Sequence, residues 1–105
     1  MLVAELFFGR NIKGRGPLTD IEWANFAGDT ITANFPDGFT VFDGYGQWRN
    51  PQTGQIAHDP TKILLVAAKR SPDLAGRLTA VIDAYKMQFH QQSVGIIMRD
   101  SCAAF

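Results

Sequence analysis

The sequence predicts one α+β domain whose elements run β-α-β-β-α-β, and three features of its 105 residues carry that reading. Residues 2–8 and 62–68 are apolar at nearly every position, as central strands covered on both faces are. Two other stretches open with helix start signals and continue with apolar residues at helical spacing. Between them, residues 39–48 are rich in Phe, Val, Tyr and Trp and lead into turn chemistry.

In chain order, the first strand is interrupted by one charge, Glu5, and stops at Gly9. Arg10 to Pro17 mixes Asn11, Gly14, Gly16 and Pro17 with three cations and reads as a mobile basic connection. Thr19 and Glu22 have the spacing of a capping box, and Trp23, Phe26, Ala27, Ile31 and Phe35 form the apolar stripe of the helix that follows. Pro36 and Gly38 end it. Gly44 and Gly46 inside the aromatic strand predict a bulge or a close backbone approach. Asn50 to Gly54 turns the chain into a hairpin, whose returning arm is expected to break at Asp59-Pro60 before the strand at 62–68. Ser71 is the expected cap and Pro72 the first residue of the second helix, with Leu74, Leu78, Val81, Ile82, Tyr85 and Phe89 on one face. Residues 93–99 form the last strand, and Cys102 to Phe105 extend it or pack as a tail.

This order is that of a ferredoxin-like fold filling residues 1–105. Right-handed crossovers then put both helices on one face of a four-stranded antiparallel sheet of order 4-1-3-2. A bare second face should be polar, yet here both parities are apolar: Val3 and Phe7 stand opposite Leu2, Ala4, Leu6 and Phe8, and Ile63 and Leu65 opposite Leu64 and Val66. So large an apolar patch is expected to be covered, first by a second copy in a homodimer, next by a small ligand, last by the long hairpin folding back over its own sheet.

Ten basic and ten acidic residues balance, without a cationic cluster longer than Lys69-Arg70, which argues against nucleic acid and membrane surfaces as partners. The lone Cys102 excludes a disulfide framework within the chain, and with only His58 and His90 beside it there are too few ligands for a structural zinc site. Neither metal nor cofactor is therefore expected. With no apolar run near the roughly 18 residues of a membrane span and no leader pattern, the chain as written reads as cytoplasmic.

Candidate chemistry is sparse. Glu5 and Arg99 lie on strands that should pair, and read either as an acid and an anion clamp on the open face or as partners of one another. Lys62 stands at the mouth of its strand as a ligand-binding cation, a nucleophile or a solvated lysine. Trp48, with Tyr45, could stack on a planar ligand or anchor a dimer. Together with Arg10, these residues outline a ligand site for a small, anionic molecule. For a rival reading as a small metal-independent enzyme of the dimeric α/β-barrel type, Glu5, His58 and Tyr85 are the proton-transfer candidates. Phosphate-loop and Ser/His/Asp signatures are missing.

Glu5 to Arg10, Thr19 to Phe26, Phe35 to Val41, Gly46 to Trp48, Lys62, Tyr85 to Phe89 and Gln92 to Val94 together resemble an uncharacterised bacterial family of short proteins, a domain of unknown function. The likeness runs over nearly the whole chain and implies no activity. It marks Arg10, Asp37, Gln47, Trp48 and Lys62 as pattern positions, and it implies that related chains often carry an export leader or a lipoprotein-type signal.

Overall fold

The computed structural model describes residues 1–104. Four strands, β1 (Leu2–Gly9), β2 (Thr40–Arg49), β3 (Ile56–Ala68) and β4 (Gly95–Asp100), form one sheet of order β2-β3-β1-β4, antiparallel at every pairing. This is the predicted 4-1-3-2 order read from the other edge. A helical run after β1 and a helix after β3 pack on one face of the sheet.

The first run starts as α1 (Asp20–Phe26), capped as its sequence requires. The Thr19 hydroxyl accepts from the Glu22 amide, and the Glu22 carboxylate accepts from the Thr19 amide. A π-helical turn (Ala27–Ile31) follows, then α2 (Thr32–Asn34). In an unbroken α-helix the five-residue step from Phe26 to Ile31 would turn Ile31 off the core stripe. The wider π turn absorbs the additional residue, and both side chains end buried.

α3 (Leu74–Gln88) presents Leu74, Leu78, Val81 and Tyr85 to the sheet. Its cap is Asp73, not Ser71; Asp73 has helical backbone (φ −91°, ψ −5°), not the extended conformation usual at a cap, makes no capping bond, and accepts from the Ser71 hydroxyl. At the other end His90 adopts φ 54° and the Gln91 amide donates to the Lys86 carbonyl, the bond of a Schellman closure. The core between helices and sheet is aromatic at its centre: the Phe8 ring lies 4.8 Å from Tyr85 and 5.2 Å from Trp23, and Phe26 lies 5.3 Å from Tyr85.

The hairpin differs from expectation in two ways. First, β3 does not break at Asp59-Pro60. The Pro60 carbonyl faces the β1 side, where it accepts from the Arg10 amide. In an extended residue the N–H points the same way as the C=O, so the proton that proline lacks belongs to the β1 edge, not to the β2 ladder. Second, the hairpin does not fold back over the sheet. β1 ends opposite Thr61, while β2 and β3 continue as a two-stranded arm, Tyr45–Arg49 against Ile56–Pro60. The thirteen residues of β3, at about 3.3 Å each, account for the 44 Å long axis of the molecule. Asn50 closes the tip by accepting from the amides of Gln52 and Thr53. Gly44 marks a close approach rather than a bulge, since a Cβ there would meet Ile63 Cδ1 at 2.8 Å. The chain after β4 has no regular structure through Ala104, and Phe105 lies outside the described residues.

Candidate functional site

Strand alternation distributes the five candidate residues over two faces. On the helix face, Asp43 and Lys62 are direct partners in the β2–β3 register. Lys62 is only 7% exposed, and its ammonium lies 2.6 Å from Asp43 and 3.0 Å from Asp20 in the first turn of α1. Arg10 joins the cluster, donating twice to the Leu18 carbonyl and lying 3.4 Å from Asp20. Burial alone would pull the Lys62 ammonium down, but hydrogen bonds to Asp43 and Asp20 outweigh it and leave it raised. The same hydrogen bond, aided by the charges of Lys62 and Arg10, holds Asp20 below the usual carboxylate range. Lys62 is thus a charged, doubly paired tie between sheet and helix, neither solvated nor free to act as a nucleophile. The hairpin register, counted back from Asn50, could have placed Asp43 opposite Lys62 from sequence; the arrival of Asp20 depends on how α1 docks.

On the open face, Glu5 and Arg99 are diagonal neighbours, Glu5 opposite Ile97 and Arg99 opposite Val3, and their side chains form an ion pair. Around them lie Val3, Phe7, Ile63 and Leu65, with Phe42 and Ile97 about half exposed. Trp48 belongs to this face too, 51% exposed on the arm. Arg10 and Lys62 therefore do not converge with Glu5, Arg99 and Trp48 on one site, because the sheet lies between the two groups.

Of the proton-transfer candidates, Tyr85 is spent in the core. Its hydroxyl donates to the Gly9 carbonyl, and burial pushes the phenol up to about 12. His58, on the arm, faces away from Glu5, and its carbonyl accepts from Asn11. Of these three candidates Glu5 lies on the apolar face, where it is paired with Arg99. A cavity of about 650 Å³ lies elsewhere, between the ends of β3 and α2, with Phe35, Phe39, Val66, Lys69 and Arg77 on its walls. A smaller one of about 390 Å³ lies between α3 and β4 and touches Arg99. Among the described residues no group of three or more His, Cys, Asp or Glu side chains could hold a metal ion, and no helix is long and apolar enough to cross a membrane.

An antiparallel four-stranded α+β sheet with helices on one face and an apolar second face is the class of protein these features define. Residues 3–105 match the family DUF3574, described as a protein of unknown function, and the chain belongs to it. Among solved structures it is similar to a phage SAM lyase in complex with S-methyl-5'-thioadenosine, with a TM-score of 0.67 at 20% identity over 94% of this chain and 80% of that one. The apo form of a phage SAM lyase gives 0.66 at 21%, over 93% and 78%. No curated protein matches the chain.

Proposed function

We propose that this chain is a self-associating module that buries its open sheet face against a second copy, and that the interface encloses a small ligand beside Glu5, Arg99 and Trp48. The observation that carries this reading is the open face itself: Phe7, Phe42, Ile63, Leu65 and Ile97 form an apolar field around a single ion pair. Monomers rarely leave such a field in water. Balanced charge adds no repulsion between copies. Size-exclusion chromatography with light scattering at micromolar concentration tests it. A dimer that Ile97→Asp converts to monomer is expected, and a clean wild-type monomer sinks the proposal.

The likeness to a lyase favours a second reading, a metal-independent enzyme acting on a sulfonium nucleoside. On this face Glu5, paired to Arg99, is the carboxylate that such a cation would meet, while the exposed indole of Trp48 lies eight rows along β3, about 26 Å away, and reaches Glu5 only from a second copy. In conversion of S-adenosylmethionine to S-methyl-5'-thioadenosine, the substrate's own carboxylate can attack the carbon bonded to sulfur, so that a C–O bond closes a lactone of the aminocarboxypropyl group as the C–S bond breaks and sulfur keeps the electron pair as a neutral thioether. Glu5 would hold the cation in place. Incubating the protein with S-adenosylmethionine and chromatographing the products tests this reading: release of S-methyl-5'-thioadenosine that Glu5→Gln abolishes supports it, and release no faster than in buffer removes it.

A further inference from the structure

We infer that the hairpin arm is a clasp for a second copy of this chain, exchanged reciprocally so that each arm lies on the partner's open sheet face and delivers Trp48 to the row that holds Glu5. The inference rests on the self-association proposed above and adds its geometry.

The arm needs a partner. A two-stranded ribbon standing clear of its sheet is marginally stable in water, and this one exposes Trp48 (51%) on its open side, with Tyr45 and Ile56 exposed on the other side. The arm's open side is continuous with the open face of the body, Trp48 following Phe42 along the same side of β2. Four strands about 4.8 Å apart and about 27 Å long give the body's open face roughly 500 Å². A stable interface takes about 800 Å² from each partner, so the body face alone falls short and the arm supplies the remainder.

Length and symmetry then select the arrangement. Stacking body on body leaves both arms overhanging, with Trp48 still in water. Sliding the copies until each arm covers the other's body places a two-fold axis at the junction of arm and body, the row of Gly44 and Thr61. There Gly44 and Gly46 bring no side chain of their own from β2, and the side chains of these rows are Thr61 and Asp59 of β3. The exchange is also closed, since each copy gives and receives one arm. Alternation fixes what meets what. Trp48 is paired with Ala57, four residues from Thr61, and four residues to the other side stands Leu65, flanked by Thr40 and Glu5. The Trp48 side chain of each copy therefore arrives over the Leu65–Glu5 row of the other, and a ligand held beside Glu5 is roofed by an indole from the second copy.

Cross-linking with a short bismaleimide tests the clasp, in the full chain with Cys102→Ser to remove the native thiol. Thr61→Cys sits next to its own symmetry mate and is expected to give a covalent dimer in high yield. Leu65→Cys sits about 26 Å from its mate and is expected to give little. Trp48→Ser, at a half-exposed position that the fold of one copy does not need, should raise the dimer dissociation constant about 30-fold. A dimer that cross-links through Leu65→Cys and not through Thr61→Cys overturns the arm exchange while leaving face-to-face association standing. A monomeric wild type overturns both.

Discussion

Tyr85 shows how a single buried group couples packing to pH. Its ring fills the aromatic core, and its hydroxyl satisfies the Gly9 carbonyl where β1 ends. Burial raises the phenol from 10.0 to about 12, so across that window the folded state keeps a proton that the unfolded chain has lost. Stability should then fall as pH rises through it. Tyr85→Phe is expected to cost about 1 kcal/mol through the lost hydrogen bond, and in a spectrophotometric titration to remove the phenolate step near pH 12. His90 makes a second test at this scale. A left-handed backbone at φ 54° strains any residue with a Cβ. His90→Gly should stabilise the protein by up to about 1 kcal/mol, read as a raised midpoint in urea. Position 90 was legible in the sequence as a helix end, but its backbone conformation was not, because histidine is not the residue that ordinarily closes a helix this way.

Elements behave according to how local their signals are. The capping box of α1 was readable from Thr19 and Glu22 because its bonds span three residues. Hydrogen bonds from Arg15 and then from the Thr19 amide hold Glu22 down at about 2, well below 4.5. The depressed carboxylate contributes stability that is present above pH 4.5 and lost as pH falls toward 2. In Glu22→Gln the acid limb of a stability-against-pH curve should flatten across that window. Thr19→Ala should cost about 1 kcal/mol with little change in that slope. The π turn was invisible in sequence because an apolar residue five positions on looks like an imperfect helical stripe; only the demand that both Phe26 and Ile31 reach the core reveals it. Pro60 misled in the opposite sense. Its breaking power depends on which edge its missing proton faces, and that is known only once β1 is seen to end opposite Thr61.

At the scale of the whole molecule, the elongated form is the property that matters. A compact domain of this length has a radius of gyration near 13 Å, whereas this chain has 14.8 Å, because the arm stands clear of the body. If the copies exchange arms, the assembly should show a smaller solution radius in small-angle X-ray scattering than two bodies stacked with arms overhanging. Hydrogen exchange in the arm should also slow with protein concentration as dimer forms, since mass action protects whatever the second copy covers. Concentration-independent exchange there would argue that the arm stays in water.

By itself the sequence determined the order of the elements, the sheet order, the capping box, the hairpin tip and the apolar character of both sheet faces, since all follow from period, turn chemistry and the handedness of crossovers. It offered Glu5 with Arg99 as one of two alternatives and could place Asp43 opposite Lys62 by register, but it could not decide that Asp20 and Arg10 join them. Glu5 with Arg99 and Lys62 with Asp43 and Asp20 are separated by up to 94 positions and are joined through strand register and helix docking. Only the tertiary structure assigned Arg10 and Lys62 to one face and Glu5, Arg99 and Trp48 to the other. Side-chain direction along a strand alternates residue by residue, so one position of register reverses every such assignment.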